Sequence, residues 1–242
     1  MNNGYFSALM NLLIQVNDKN KSAMQQSAAI LAECLENDGI LHVFGCGHSH
    51  MIAEEVFYRA GGIVPVRPVL IQDVMLHKGA LHSSELERDP NFANTFLPQQ
   101  PFQPNDALLV ISTSGRNPVP IDVAQHGKEI GMKVIAISSH AYHSLSSRHS
   151  KGIFLADAAD IAIDNCIPQG DALVSLEALE TPIGPGSTII NAAIVNDLII
   201  KTTETLHKKG VVVPIFKSGN IDGAEKHNEA VIKKYRNRIE MF

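Results

Sequence analysis

Residues 107–118 have the sequence ALLVISTSGRNP, an apolar run that passes directly into hydroxyl residues, a glycine and a proline. A short unbroken apolar run is typical of a strand that is buried on both faces of a parallel sheet. The polar segment 112–117 predicts a loop, and residues 118–130 predict a helix that ends at Gly131. A second strand is predicted at 133–137. This order of strand, polar loop, helix and strand indicates a parallel sheet with helices on its faces.

The same pattern occurs earlier in the chain. Residues 40–44 (ILHVF) predict a buried strand, residues 45–50 (GCGHSH) predict a loop, and residues 51–59 predict a helix. An extended stretch follows at 63–71, and a short apolar run at 161–163 predicts one more strand. We therefore expect an α/β fold, with a doubly wound parallel sheet between two layers of helices.

Both ends of the chain are predicted to be helical. Apolar residues recur at helical spacing over 6–16 and again over 23–35. A long helix capped by Ser187 or Thr188 is predicted to run to about Lys209. An extended piece at 211–216 and a charged helix near the C-terminus follow. Two stretches lack a clear period, the polar segment 73–105 and a Pro- and Gly-rich loop at 165–186.

The composition excludes several classes of protein. The 242 residues include 45% hydrophobic residues, and 20 basic against 25 acidic residues give a net charge of −5. This charge disfavours binding of nucleic acid through bulk charge. We expect no membrane span, because no apolar run reaches about 18 residues. The three cysteines are too few for a disulfide framework and the N-terminus lacks signal-peptide features, so we expect a cytoplasmic protein.

The segment Ser112-Thr113-Ser114-Gly115-Arg116-Asn117 has the composition of a phosphate-binding loop. Hydroxyl donors, unpaired backbone N–H groups and a helix start all favour a negative charge. Arg116 is expected to add a cation, and Asn117 to cap a helix that has Pro118 at its first position. The alternative is an ordinary capped turn made of residues that favour loops.

The other loop, Gly45-Cys46-Gly47-His48-Ser49-His50, does not match the dinucleotide fingerprint G-x-G-x-x-G, because His50 stands where the third glycine is required. The G-x-G element by itself predicts only a tight turn. Cys46, His48 and His50 lack an evident fourth ligand, so we expect no metal here. We expect a function that needs no cofactor.

Taken together, GCGHS after the first strand and ISTSGRNP after a later strand resemble the sugar isomerase (SIS) domain family. The resemblance covers about residues 28–214 and implies a five-stranded parallel sheet, a phosphosugar ligand, and a homodimer or homotetramer. It further implies that 1–27 and 215–242 are helical extensions of this domain. By analogy with the family, the ligand-binding residues are Gly47, Ser49, Ser112, Thr113, Ser114 and Asn117.

Two C-terminal segments carry a narrower resemblance. PIGPGSTIINAAIVNDLI (182–199) and KSGNIDGAEKHNEAV (217–231) are similar to small stand-alone members of this family that are labelled as candidate phosphoheptose isomerases. Isomerisation of an aldose to a ketose requires a base that moves a proton between adjacent carbons, and an acid that opens the ring.

The catalytic residues of phosphoheptose isomerase are not obvious here. That enzyme uses a Glu from the helix after the first loop, where counting along this chain reaches Tyr58 or Arg59. Glu54 and Glu55 lie one turn earlier and are expected on the helix surface or in subunit contacts. The late helix supplies Asn191 and Asn196 in place of the expected His.

The N-acetylmuramic acid 6-phosphate etherases are a second similar group, with a G-x-G-x-S loop, a Thr…Asn pattern on a late helix and an acidic segment between early and middle strands. The acidic segment is 80–89 (ALHSSELERD) in this chain. Glu87 and Glu85 are therefore the candidate bases, with His82 as a candidate proton partner. The alternative is a solvated acidic turn. Further candidates, among which the sequence does not choose, are His140, His143, His149 and Asp164.

The sequence thus predicts a phosphosugar-binding protein that acts as an aldose–ketose isomerase by cofactor-free proton transfer. Two alternatives remain open, a lyase similar to the etherases and a sugar-phosphate sensor without catalytic activity. The expected partners are a sugar phosphate and further copies of the chain, and neither nucleic acid nor membrane.

Overall fold

A five-stranded parallel sheet forms the centre of the molecule. The structure, a computed structural model, describes residues 4–242. The strands are β1 (Leu41–Gly45), β2 (Val66–Val69), β3 (Ala107–Ile111), β4 (Lys133–Ser138) and β5 (Ile161–Asp164). Their order is β2-β1-β3-β4-β5, and every neighbouring pair is parallel. The predicted fold class is confirmed.

Helices cover both faces of this sheet. They are α1 (Tyr5–Lys19), α2 (Lys21–Glu36), α3 (Met51–Val56), α4 (Ala80–Leu86), α5 (Ala93–Phe96), α6 (Pro118–Glu129), α7 (Leu155–Ala158), α8 (Ser187–Lys208) and α9 (Ala224–Ile232). Apolar residues of α1, α2, α3 and α8 pack on one face, and those of α5, α6 and α7 pack on the other. Because side chains alternate along a strand, both faces of β3 are apolar, as its unbroken sequence run indicates.

Two predictions about local structure were wrong. The helix expected over 51–59 ends at Val56, because Phe57 is extended and Tyr58 has a left-handed backbone with φ of +46°. The expected long loop at 165–186 contains an antiparallel hairpin, β6 (Ala172–Val174) and β7 (Ile183–Pro185). Strands of three residues are too short to produce a detectable alternation.

The hairpin holds the start of α8. The carboxylate of Asp171 accepts hydrogen bonds from the Ser187 N–H at 2.8 Å, the Ser187 hydroxyl at 2.6 Å and the Gly186 N–H at 3.1 Å. This carboxylate caps the helix in place of the side chain that the sequence suggested, because Gly186 occupies the N-cap position.

The C-terminal segment closes the opposite edge of the sheet, where the strands begin. Arg238 donates to both carboxylate oxygens of Asp106, at 2.8 and 2.9 Å, and His42 contacts the same carboxylate at 3.0 Å. Arg67 of β2 pairs with Glu240 at 2.6 Å. The segment 211–216 forms no regular strand, and only Ile215 makes an isolated bridge, to Ile63. Among residues 4–242, no helix combines the length and apolarity needed to cross a bilayer.

The strand order determines where a ligand fits. From β1 the chain passes to β2 on one side and then to β3 on the other, so the connections diverge between β1 and β3. Gly45 and Ile111, the last residues of these strands, are register partners. Ligands of doubly wound sheets bind in the crevice beyond such a switch point. The two loops that the sequence identified therefore begin side by side.

Candidate functional site

The loop between β3 and α6 presents unpaired donors at the sheet edge. Its carbonyl groups are held by the following segments, since the Ser139 N–H donates to the Thr113 carbonyl at 2.9 Å and the Leu155 N–H to the Gly115 carbonyl at 2.7 Å. Ser112 is buried, whereas Thr113 and Ser114 are half-buried. No partner within residues 4–242 accepts from the backbone N–H groups of Thr113, Ser114, Arg116 and Asn117.

Gly115 gives this loop its shape. Its φ of +59° lies in the left-handed region, and a Cβ there would lie 3.1 Å from the Cβ of Ser138. A side chain at position 115 would therefore strain the backbone and crowd β4. A left-handed residue beside right-handed ones turns successive N–H groups toward one concavity, which suits an anion.

The helix that follows contributes less than the sequence suggested. Pro118 and Pro120 have no N–H, and the Val119 N–H donates to the Glu87 carbonyl at 3.3 Å. The first three helical positions, 118–120, thus keep no unpaired N–H group, so the donors for an anion are mainly the hydroxyls and amides of the loop itself. Pro118 does occupy the first helical position as predicted.

Asn117 stands at the N-cap of α6 but does not cap it with its side chain. Its Nδ2 donates to Oε1 of Glu87 at 2.9 Å, and its Oδ1 accepts from Nη1 of Arg148 at 3.0 Å. The Asn117 amide therefore bridges the Glu87 carboxylate and the Arg148 guanidinium at the end of the loop 112–117. The prediction of a side-chain cap was wrong because these two partners compete for the amide.

Glu87 is half-buried directly after α4. Burial raises the pKa of its carboxyl group, while the hydrogen bond from Asn117 and the positive charges of Arg88 and Arg148 oppose this increase. A carboxyl group with a raised pKa next to a ligand loop is suited to proton transfer near neutral pH.

Glu85 and His82 do not share this environment. Both side chains are exposed on α4, while Ser83 between them is buried and donates to the Val74 carbonyl at 2.8 Å. Of the three candidates for proton transfer, the structure brings only Glu87 into contact with the loop 112–117. The other two lie on the solvent side of the same segment.

Arg116 has a structural contact. Its Nε donates to the Ser146 carbonyl at 2.9 Å, and a second guanidinium N–H contacts the same oxygen. The side chain therefore joins the loop 112–117 to the loop 140–153. That Arg116 adds a cation to the site stays a prediction.

The first loop begins beside the loop 112–117, because Gly45 and Ile111 are register partners. Gly47 has φ of +55°, Ser49 is half-buried and Cys46 is buried. Burial raises the pKa of the Cys46 thiol well above its ordinary value, and the negative charge of Glu87 adds to this increase. The thiol is therefore protonated and packs as an apolar group. The charge effect also shows that the first loop and Glu87 lie in one electrostatic environment.

Histidines of this region have structural contacts. Nε2 of His50 lies 3.4 Å from Oε2 of Glu54, and Nε2 of His149 lies 3.0 Å from Oδ1 of Asp122. Nδ1 of His149 accepts from the Lys151 N–H at 3.2 Å, which places the ring proton on Nε2. Within the described part of the chain, no three His, Cys, Asp or Glu side chains are arranged to hold a metal ion.

The remaining candidate site residues lie further along the edge at which the strands end, or on the face of the sheet that α3 and α8 cover. Asp164 binds Lys19 at 2.6 Å and the backbone N–H groups of His140 and Cys166. Glu55 lies 3.4 Å from the Asn196 amide. The Asn191 side chain accepts from the Asn165 amide at 2.9 Å, and the ring of His143 stacks on the ring of His140.

Two polar residues of the site were missed in the sequence. The Ser138 hydroxyl is buried beside Gly115 and has no hydrogen-bond partner in the described chain. Arg148 lies 31 residues from Asn117 in sequence, yet it contacts that residue. The only signal for Ser138 was its position at the end of a predicted strand, and Arg148 had none.

Comparisons with known proteins agree with this fold. A family model described as the SIS domain matches residues 4–139. A UPF0309 protein of Halalkalibacterium halodurans is 46% identical, over 98% of this chain and 96% of its own length. A UPF0309 protein of Listeria monocytogenes serotype 4b is 43% identical, over 100% of this chain and 98% of its own.

Solved structures share the fold. A phosphoheptose isomerase from Francisella tularensis aligns with a TM-score of 0.54 and 20% identity, over 84% of this chain and 96% of that chain. A phosphoheptose isomerase from Neisseria gonorrhoeae aligns with a TM-score of 0.51 and 18% identity, over 84% and 95%. At these identities the likeness concerns the fold alone.

Proposed function

Because this chain belongs to the SIS domain family, we propose that it binds a sugar phosphate and interconverts its aldose and ketose forms without a cofactor. The observation that carries this proposal is the contact of the half-buried Glu87 carboxylate with Asn117 at the end of the phosphate loop, 2.9 Å apart. A proton-transfer group and an anion site thus adjoin at the switch point of the sheet.

The phosphate occupies the loop 112–117. The hydroxyls of Ser112, Thr113 and Ser114 and the unpaired loop amides are its donors. Hydrogen bonds to a charged group stabilise more than those between neutral groups, so several such donors give a phosphate substantial binding energy. The sugar extends from there toward Gly47 and Ser49 in the first loop.

Glu87 acts as the base. Its carboxylate takes the proton from C2 of the open-chain aldose, the C–H electron pair forms the double bond between C1 and C2, and the carbonyl π pair moves to O1, which gives an enediolate. The same carboxyl group returns the proton to C1 while a proton passes from O2 to O1, which yields the ketose. Burial of Glu87 supports this role, because a raised pKa strengthens the carboxylate as a base.

Proton NMR in D2O tests this function. The purified protein is mixed with hexose, hexosamine, muramic acid and heptose phosphates, each paired with its unphosphorylated sugar. We expect saturation transfer to the phosphorylated member of at least one pair, loss of its C2 proton signal and appearance of the ketose. Binding without loss of that signal contradicts an isomerase and supports a sensor. Loss of the C2 proton with cleavage of the lactyl ether supports the lyase.

The chain also has a surface suited to self-association. Phe6, Met10 and Ile14 lie at i, i+4 and i+8 on α1 and are 81%, 59% and 62% exposed. Residues at this spacing share one helix face, and an exposed apolar face of this kind is typical of an interface. We expect a homodimer or homotetramer that works in the cytoplasm.

Sedimentation velocity tests this assembly. Met10→Asp places a charge in the centre of the exposed face and is expected to shift the protein toward the monomer. Asn11→Asp, a change of the same charge on a neighbouring exposed position, should leave the sedimentation coefficient unchanged. A wild-type protein that sediments as a monomer at all concentrations excludes the assembly.

A further inference from the structure

A phosphate at this site needs a cation that the sequence did not identify. The first three positions of α6 keep no unpaired N–H group, since positions 118 and 120 are prolines and the Val119 N–H is paired with Glu87. Glu87 adds a negative charge at the same place. Neutral hydroxyls and loop amides therefore face both a dianion and a carboxylate, which repel each other.

A second observation independently indicates a ligand in the phosphate loop. The Ser138 side chain is 1% exposed, and its hydroxyl has no hydrogen-bond partner within residues 4–242. This hydroxyl lies next to Gly115, where a Cβ would approach it to 3.4 Å. A buried polar group without a partner is costly, and a ligand in the adjacent loop is one way to satisfy it.

Arg148 is in position to supply the charge. Its backbone N–H donates to the Arg116 carbonyl at 2.8 Å, which fixes it against the phosphate loop. Its guanidinium contacts Oδ1 of Asn117 through Nη1 at 3.0 Å. A guanidinium has five N–H donors, and in the described chain only this one has a partner, so a planar edge remains for an oxyanion.

The neighbouring cations are less suited to this role. Arg116 is engaged with the Ser146 carbonyl, and Lys19 is paired with Asp164 at 2.6 Å. Arg88 follows Glu87 in sequence and is exposed, as Arg148 is, but no hydrogen bond in the described chain joins its side chain to the phosphate loop. Arg148 alone among these combines a fixed backbone, contact with the N-cap residue of α6 and unused donors.

We propose that Arg148 binds the phosphate group of the ligand, with the free edge of its guanidinium, while its bond to Asn117 keeps it over the loop. This inference rests on the proposed function and adds to it a residue that the phosphosugar contacts directly. The ligand group is a phosphomonoester dianion, because a planar guanidinium matches two phosphate oxygens at once.

Isothermal titration with inorganic phosphate and with glucose 6-phosphate tests the proposal. We expect Arg148→Gln to weaken binding of both by about 10- to 100-fold, the range for loss of a hydrogen bond to a charged group. Arg148→Lys is expected to restore part of the affinity, because it keeps the charge but not the planar pair of donors. Arg88→Gln is the matched control, with the same change of charge, and should change affinity by less than about threefold.

Equal affinity of wild type and Arg148→Gln for both probes overturns the proposal, as does an equal loss in Arg88→Gln. If Arg148→Gln retains wild-type affinity while Ser114→Ala loses it, only this inference fails and the proposed function stands. If the wild-type protein binds neither probe, both fail.

A measurement on the wild-type protein tests the proposal even if the Arg148→Gln variant does not fold. Phenylglyoxal labels accessible arginines, and mass spectrometry reports each site. We expect 10 mM inorganic phosphate, a concentration on the order of weak-anion dissociation constants, to protect Arg148 and leave the distant, exposed Arg236 labelled. Equal labelling of Arg148 with and without phosphate contradicts the proposal.

Discussion

At the scale of single residues, the proposed function depends on Glu87 and on the hydroxyls of the loop 112–117, whose last residue, Asn117, donates to Glu87. Glu87 and Ser114 are both half-buried, so each is accessible to a ligand and partly withdrawn from water. The two groups have opposite hydrogen-bonding character, because the loop presents donors and the Glu87 carboxylate is an acceptor. Under the proposed function, these donors bind the phosphate of a sugar and the acceptor takes a proton from one of its carbons.

Ser114→Ala tests the loop. The Ser114 hydroxyl has no partner among the described residues, so its removal should not disturb the fold, and sugar-phosphate binding should weaken by about 1–3 kcal/mol. Isothermal titration measures the change. Ser22→Ala, at an exposed position on α2, serves as the control and should bind as wild type does. An unchanged affinity in Ser114→Ala would remove the loop from the site.

Asn117→Ala tests the electrostatics of Glu87. The hydrogen bond from Asn117 lowers the pKa of the Glu87 carboxyl, and Arg88 and Arg148 act in the same direction against burial. Loss of the amide should therefore raise the pKa further. Since the base must be ionised, the acidic limb of the pH profile of kcat/KM should move to higher pH. The thiol of Cys46, which also faces this carboxylate, stays protonated throughout and does not contribute to this limb.

The control for this profile is Asn94→Ala, an exposed amide on α5 that should leave the acidic limb in place. A shift of the limb toward lower pH in Asn117→Ala, or none, would mean that another group controls the profile.

At the scale of elements, the hydroxyl-rich segment 112–117 was predicted correctly as a loop between strand and helix, because small and polar residues there are local signals. The capping of α6 and α8 was predicted wrongly. The carboxylate that caps α8 is that of Asp171, 16 residues before Ser187, and the Val119 N–H in the first turn of α6 donates to the Glu87 carbonyl. Caps that come from distant segments depend on tertiary packing, which periodicity does not reveal.

The buried carboxylate of Asp106 holds the C-terminal segment, so its removal should lower the free energy of unfolding. Although burial raises the pKa of Asp106, hydrogen bonds from His42, the Ile40 N–H and Arg238 lower it more, and the carboxyl stays ionised. Asp106→Asn leaves Arg238 without its counter-charge and should cost about 3–5 kcal/mol of the free energy of unfolding at pH 7. Urea denaturation measures it. Asp18→Asn, in an exposed pair with Lys21, should cost less than about 1 kcal/mol.

The same variant has a defined pH dependence. A carboxyl whose folded-state pKa is depressed stabilises the fold above its ordinary pKa, and this contribution is lost as pH falls through the folded-state value. The difference in stability between wild type and Asp106→Asn should therefore shrink in acid. A difference that is constant from neutral to strongly acidic pH would argue against an ionised Asp106.

At the scale of the whole molecule, the sheet and its helices were predictable from local patterns. The apolar runs at β1, β3 and β4 marked buried parallel strands, and the intervening helices followed from spacing. The set of side chains around the site was less predictable from the sequence. Arg148 comes from a loop after β4 that carries no motif, and Ser138 became notable only because its hydroxyl lacks a partner.

The arrangement of the acidic segment also required the fold. The sequence offered Glu85 and Glu87 as equivalent candidates two residues apart. Glu85 is exposed on α4, whereas Glu87 directly follows this helix, is half-buried and accepts a hydrogen bond from Asn117. Only the structure distinguishes the two carboxylates, and the central claim rests on this difference.

Deuterium exchange at C2 of the sugar phosphate, followed by proton NMR in D2O, tests that claim most directly. For a sugar phosphate that the wild-type protein binds, we expect wild type and Glu85→Gln to wash out the C2 proton. Glu87→Gln should bind with similar affinity and leave the signal intact, because an amide cannot accept this proton. Exchange by Glu87→Gln at the wild-type rate would contradict the account and exclude Glu87 as the base.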